Sequence, residues 1–320
     1  MSAFVFVEVC GYICGPISLV SNVLLLITIR NTNSRHLVQY NIPLSVIALS
    51  DILLSMTFLL CQPCVIVKDD VTLVILLGPA TFIHPAFATV CFVIFKATLI
   101  LCTLQVASLY AFKMLVQKQK GASLWQRCFL VGLACFASLC IVAPLIYVSF
   151  ETAALNYNRY DHYDRIVRGF THFDWAPFYV AYHLNQLGKL FLLLLLFSCC
   201  VGCVAVAVTT LWTSGLLRCR HSGMNQSGSR FGQLANASRV NACSTAILIV
   251  VPLAVFTLFA LFDLPMNSYS IPLFLGVAFV PILNAHFIIF NIRTYRRALS
   301  TLLSFKSKSI GPISHISSDH

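Results

Sequence analysis

The stretch LSVIALSDILLSMTFLL, residues 44–60, decides the reading of the fold. It holds one charge, Asp51, in an otherwise uncharged and mostly apolar run. With its neighbours it extends over 39–66. A bilayer-spanning helix needs about 20 mostly apolar residues, so this segment is long enough to cross. Six more stretches share its character. The seven run 4–29, 39–66, 82–112, 127–149, 177–213, 242–263 and 270–292. The fifth is longer than one bilayer requires. A further apolar stretch, Val71 to Pro79, is too short to cross and contains Gly78 and Pro79. It reads as an outer loop or interfacial segment.

Composition agrees with seven spans. Of 320 residues, 59% are apolar or aromatic and 10% are charged, with a mean hydropathy of +0.87. Soluble domains carry roughly 25% charged residues, so this chain cannot cover a water-facing surface with charge. That argues against a soluble enzyme, a disordered chain and a nucleic-acid-binding protein, although the net charge is +11. The expected fold class is an all-α membrane protein, a seven-transmembrane helix bundle with a C-terminal amphipathic eighth helix. Residues 1–303 form the seven-span domain with its eighth helix, and 304–320 a short cytoplasmic tail.

The charges sort by side. The segments after spans 1, 3 and 5, together with the tail, hold 15 basic residues against one acid, Asp319. The opposite side holds 8 acids against 4 bases. The membrane interior keeps Asp51, Lys96 and Lys189. These groups carry +14, −4 and +1, which accounts for the +11. Positive-inside counting therefore predicts an extracellular N-terminus and a cytoplasmic C-terminus in a multi-pass plasma-membrane protein. The first ten residues lack a basic region, so span 1 reads as a signal anchor. The sequons at Asn225 and Asn236 fall on the cytoplasmic side and read as chance. Most of the 14 cysteines lie in spans, where free Cys behaves as a small hydrophobe. A bridge between the Cys10/Cys14 and Cys61/Cys64 pairs is the minor alternative.

Ionisable groups inside a membrane are costly and mark candidate functional positions. Asn22, Asp51, Lys96 and Asn284 lie at similar depth in spans 1, 2, 3 and 7. A lone buried carboxylate would take up a proton, whereas one beside an ammonium can stay charged. An Asp51–Lys96 ion pair bridged by Asn22 and Asn284 is therefore expected. The plainer reading is that these groups pin helix register. Lys189 either snorkels to the interface or meets an anionic ligand. No nucleophile motif, phosphate loop, paired carboxylates or metal-ligand spacing is visible. The reading is of no enzyme, no cofactor and no metal. After span 7, Tyr295, Leu299, Leu302 and Leu303 fall at helical spacing with Arg293, Arg296 and Arg297 opposite. That pattern predicts an amphipathic helix, about 293–303, on the anionic cytoplasmic leaflet.

These positions resemble the rhodopsin-like G protein-coupled receptors, in a divergent odorant- or chemosensory-receptor-like or orphan branch. Asn22 looks like the span-1 asparagine of that family, and Leu49-Ser50-Asp51 like its span-2 aspartate motif. Pro144 and Pro252 look like the span-4 and span-6 prolines. Pro281-Ile282-Leu283-Asn284 looks like the start of the Asn-Pro-x-x-Tyr signature as odorant receptors write it. The departures matter as much. Tyr110-Ala111-Phe112 stands where the family has Asp-Arg-Tyr, with Lys113 as the nearest cation. Asn284 is followed by Ala285, and the signature tyrosine is replaced by Ile288. Val250 stands in place of the span-6 tryptophan. The long outer loop, 150–176, has no cysteine for the family disulfide. Chemosensory lineages, nematode chemoreceptors among them, also lose these motifs.

The resemblance implies a receptor that binds a small extracellular molecule among spans 3, 5, 6 and 7. His84, Tyr179, Tyr182, His183, Phe256 and Phe259 are the candidate lining. Apolar walls with a few polar groups suit a small organic ligand. The aromatic outer loop serves either as a roof or as an interfacial belt. Pro252 offers a pivot for span 6. A heterotrimeric G protein is the implied partner, with Tyr110, Ala111, Phe112 and Lys113 facing it. Two rival classes remain open. One is a non-signalling or degenerate receptor acting as a membrane partner, as a homo- or heterodimer packed through Gly11-x-x-x-Gly15. The other is a small transporter.

Overall fold

A computed structural model describes residues 3–32, 38–68, 71–84, 86–99, 102, 179–183, 240, 243–262, 264 and 275–304, with helical residues between 189 and 204. The first helix, α1 (Ala3–Asn31), shows why this sequence suits a bilayer. Its 29 residues extend about 44 Å at 1.5 Å each, beyond the roughly 30 Å hydrocarbon core. Its buried stripe of Val7, Gly11, Cys14, Ser18, Asn22, Leu25 and Ile29 recurs at three- and four-residue steps. The opposite face exposes Phe6, Ile13, Ile17, Val20 and Ile27. Hydroxyls and an amide lie inside while branched apolar chains lie outside. Lipid selects that inversion, because only neighbouring helices can satisfy a polar group there.

α2 (Val38–Cys61) runs antiparallel to α1. A Cβ on Gly11 would lie 2.9 Å from Gln62 Cδ, and one on Gly15 would lie 3.0 Å from Leu59 Cδ1. The small-residue face of α1 is therefore occupied by the same chain: the side chains of Leu59 on α2 and of Gln62 just beyond it pack closely over the two glycines. This corrects the expectation that Gly11 and Gly15 form a face for a second subunit.

α2 stops five residues before the predicted end of the span. Gln62 adopts φ 40°, the left-handed conformation of a helix C-terminus, and its N–H donates to Phe58 O at 2.7 Å. Pro63 follows and cannot continue the ladder. The chain then forms β1 (Pro63–Lys68) and β2 (Val71–Leu76), antiparallel, with Pro63 opposite Leu76 and Lys68 opposite Val71. β3 (Tyr179–His183) adds to β2 with Val71 opposite His183 and Ile75 opposite Tyr179. Two expectations are corrected here. Residues 63–66 are strand and not span, and 179–183 is strand and not the start of span 5. Val71–Leu76, read as part of an outer loop or interfacial segment, is a strand of this sheet. The helical bundle thus carries a small sheet. Val65, Ile66, Val74 and Ile75 are β-branched and favour strands. They and their neighbours are buried on both faces, so the strands lack alternation and look like membrane segments.

The sheet is tied to α2 by backbone. Leu77 N–H donates to Gln62 O at 3.3 Å and Gly78 N–H to Cys61 O at 3.0 Å. A Cβ on Gly78 would lie 2.2 Å from Leu60 O, so only glycine fits. A single turn, α3 (Ala80–Ile83), leads into α4 (Ala86–Leu99). The predicted third span continues to 112, beyond these residues.

α5 (Cys243–Leu261) contains a wide π turn, Ala246–Val250, just before Pro252. The turn absorbs the proline's missing N–H. α6 (Gly276–Asn291) begins against it: a Cβ on Gly276 would lie 2.5 Å from Leu248 O. α7 (Arg293–Ser304) leaves α6 at 99°. Among the described residues, Val5–Asn31, Leu44–Cys61 and Cys243–Leu261 are long and apolar enough to cross a membrane. α6 with α7 passes the same test as a bent pair.

Among the described residues, two apolar clusters stand out. Near the sheet, Phe58, Cys61, Val65, Val74, Cys91, Phe92, Phe95, Phe256 and Val277 form one cluster. Near α7, Leu25, Leu44, Ala285, Ile288 and Tyr295 form the other.

Candidate functional site

Between the two cores lies a buried polar seam. Asn284 Nδ2 donates to Asp51 Oδ2 at 3.1 Å. Asn22 Nδ2 donates to Ser18 O at 3.0 Å and to Pro281 O at 3.1 Å. The Ser18 and Ser55 hydroxyls bond at 2.5 Å, and Ser55 Oγ donates to Asp51 O at 2.6 Å. Asn22, Asp51, Asn284, Ser18 and Ser55 are all buried. α1, α2 and α6 are therefore joined by side chains from each. Space beside Ser18, Ser55 and Pro281 is too tight for a water molecule. Asn22 Oδ1 and Asn284 Oδ1 have no hydrogen-bond partner among the described residues. Interhelical bonds in membranes contribute about 0.6 kcal/mol each on average. Their larger effect is directional, since a shift of α6 along α1 and α2 must break several together.

The structure brings Asp51 and Asn284 together and sets Asn22 one contact away, through Pro281. It does not include Lys96. Lys96 Nζ sits 4.7 Å from the centre of the Phe92 ring, and no Asp51–Lys96 ion pair forms among the described residues. The reason is angular. α4 meets α2 through Phe95, whose ring lies 6.0 Å from Phe58. Lys96 is one residue further round the helix, about 100° away. Ser18 and Ser55 carry no charge or motif that marks them in the sequence. The available signal is their place one turn from Asn22 and from Asp51, on the same faces.

The predicted ligand-lining residues separate into three places. Phe256 is buried in the core near the sheet, with Phe259 packed against it. Tyr179, Tyr182 and His183 lie in β3, opposite Ile75, Thr72 and Val71. His84 is exposed at the α3–α4 turn, where its Nδ1 accepts from Ala86 N–H at 3.1 Å. It therefore helps to start α4, outside the aromatic cluster. β3 borders β2, whose Val74 shares the core with Phe256, so five of the six residues belong to one end of the bundle.

At the other end, Arg293, Arg296 and Arg297 lie on the exposed face of α7. Arg296 Nη1 donates to Phe290 O at 3.3 Å across the bend. Tyr295 faces the opposite way and is wholly buried, with its hydroxyl donating to Asn41 Oδ1 at 3.1 Å. Burial pushes this phenol above the ordinary tyrosine range. The neutral, hydrogen-bonding form is therefore kept, and its contribution fades only as pH rises from the ordinary value of about 10 toward the raised one. Asn41 carried no signal in the sequence, because its partner is 254 residues away. Tyr110, Ala111, Phe112 and Lys113 lie outside the described residues, as do Pro144 and the loop 150–176.

Comparison with known proteins agrees with this architecture. The crystal structure of squid rhodopsin superposes with a TM-score of 0.63 at 14% identity, covering 98% of this chain and 89% of that one. At that identity the likeness concerns the fold, a seven-transmembrane bundle. No curated protein sequence matches significantly. The model of the serpentine-type 7TM GPCR chemoreceptor Str family matches residues 7–300. Such membership implies a multi-pass protein embedded in a lipid bilayer and coupled to a G protein. The chain thus belongs to the serpentine Str family of seven-transmembrane, G protein-coupled chemoreceptors.

Proposed function

We propose that this chemoreceptor sits in the plasma membrane with its N-terminus outside. It binds a small, largely apolar organic molecule at the sheet end of the bundle and passes the signal to a heterotrimeric G protein at the α7 end. The observation that carries the reading is the division of the molecule at the buried polar seam. On one side lies an aromatic core with Phe58, Phe92, Phe95 and Phe256. On the other, α7 turns away at 99° with its three arginines exposed. A ligand wedged beside Phe256 would act on α5 above its proline and on α6, which abuts the π turn through Gly276. Differential contact with two packings of those helices is all that signalling requires.

The orientation rests on the charge asymmetry of the loops. Lys113 or the segment 114–126 stands in for the missing arginine of the Asp-Arg-Tyr motif. The test is a panel of odorants and small metabolites applied to surface-expressed protein. Phe256→Ala is expected to weaken the apparent affinity for an active ligand on the order of tenfold, which corresponds to about 1.4 kcal/mol. An unchanged response in both Phe256→Ala and Phe259→Ala would place the ligand elsewhere.

A further inference from the structure

α2 and α4 pack side by side near the sheet, and the register puts a cysteine of each on the facing sides. The register follows from aromatic packing. Phe58 on α2 and Phe95 on α4 hold their ring centres 6.0 Å apart. Moving toward the sheet advances three residues along α2 to Cys61 and four back along α4 to Cys91. Each step is about one helical turn and returns to the same face. Cys61 is fully buried and Cys91 is 5% exposed, and both lie in the same apolar cluster. Both thiols are free in the structure, and this register places them on the facing sides of the two helices. Ala80 and Ala88, both wholly buried in that cluster, add little side-chain bulk between the elements. The long loop 150–176 has no cysteine, so a bridge from α4 to that loop is excluded.

We infer that Cys61 and Cys91 form a disulfide in the mature receptor, bracing the C-terminus of α2 against α4. This rests on the outward orientation proposed above, because that end then matures in an oxidising lumen. The two thiols lose two protons and two electrons as the S–S bond forms. The acceptor is the disulfide of a lumenal thiol oxidoreductase, which leaves as a dithiol. The bridge ties α2 to α4 across β1, β2 and α3, so it holds the sheet hairpin within a closed loop. Bridging requires sulfurs that face each other, and the register set by Phe58 and Phe95 puts Cys61 and Cys91 on facing sides. It also differs from the minor Cys10/Cys14 to Cys61/Cys64 alternative, because the register pairs Cys61 with α4.

The test counts thiols on the full chain in native membranes. The protein is denatured in the presence of a maleimide mass tag, with and without prior reduction, and the tags are counted on a gel. The chain has 14 cysteines. Wild type should gain two tags on reduction. Cys61→Ser and Cys91→Ser should each take one tag more than wild type before reduction, because the partner is freed, and neither should gain on reduction. Cys64→Ser should take one tag fewer and still gain two. Equal tagging of wild type before and after reduction, with an N-terminal epitope accessible on intact cells, overturns the disulfide. So does a reduction-dependent gain that survives in both Cys61→Ser and Cys91→Ser. An epitope reached only after permeabilisation overturns the orientation itself, and the disulfide with it.

Discussion

The two ends of α2 solve the same problem in opposite ways. At the α7 end, Tyr295 is wholly buried and its hydroxyl is bonded to Asn41. At the sheet end, Gln62 is also wholly buried, but its Nε2 and Oε1 have no partner among the described residues. One end is held by a side-chain hydrogen bond and an amphipathic helix. The other is held by backbone bonds from Leu77 and Gly78 and by steric fit at Gly11 and Gly78. The sheet end therefore depends on shape and tolerates a poorly satisfied amide. The α7 end depends on polar complementarity.

The comparison can be broken most directly at Gly78. A Cβ there would collide with the Leu60 carbonyl at 2.2 Å, and backbone on both sides leaves no route for relief. Gly78→Ala should destabilise at or above the ~3 kcal/mol upper range of ordinary overpacking. Thermal unfolding of the detergent-solubilised protein should show a large loss of midpoint, and an unchanged midpoint would remove the backbone suture from the account.

The seam between the ends comes next. Asp51→Ala leaves Asn284 Nδ2 buried without its acceptor and should cost about 1–3 kcal/mol. Asp51→Asn keeps an acceptor oxygen and should cost less. Equal losses in the two variants would mean that the Asn284 bond carries little weight.

The smallest effects test the contrast itself. Tyr295→Phe removes one hydroxyl and should destabilise by about 1 kcal/mol, with no further loss when Asn41→Ala is added. Gln62→Met keeps an unbranched chain of similar length against Gly11 and removes two unpaired polar atoms. It should be neutral or slightly stabilising. If Gln62→Met destabilised as much as Tyr295→Phe, the two ends would not differ as described.

Much of this was legible from residues. The apolar stretches marked α1, α2, α5 and α6 as candidate spans. Asn22, Asp51 and Asn284 stood out because amides and a carboxylate are rare in apolar helices. The sheet was hidden for a physical reason: its strands bury both faces, so they lack alternation and merge into the neighbouring spans. Lys96 was paired with Asp51 by depth alone, whereas contact also depends on the angle round the helix, and Phe95 holds the facing position. The Tyr295–Asn41 bond joins residues that no local pattern relates. Gln62 marks where the chain turns: its positive φ, with Pro63 behind it, ends α2 there and not at 66.

The most direct test of the receptor reading is ligand-stimulated nucleotide exchange on a heterotrimeric G protein by the surface-expressed chain. Wild type should accelerate exchange with at least one small organic ligand. Lys113→Ala should lose most of that acceleration while ligand binding persists. A receptor that reaches the surface, binds a ligand and drives no exchange would contradict the account and favour a non-signalling membrane partner.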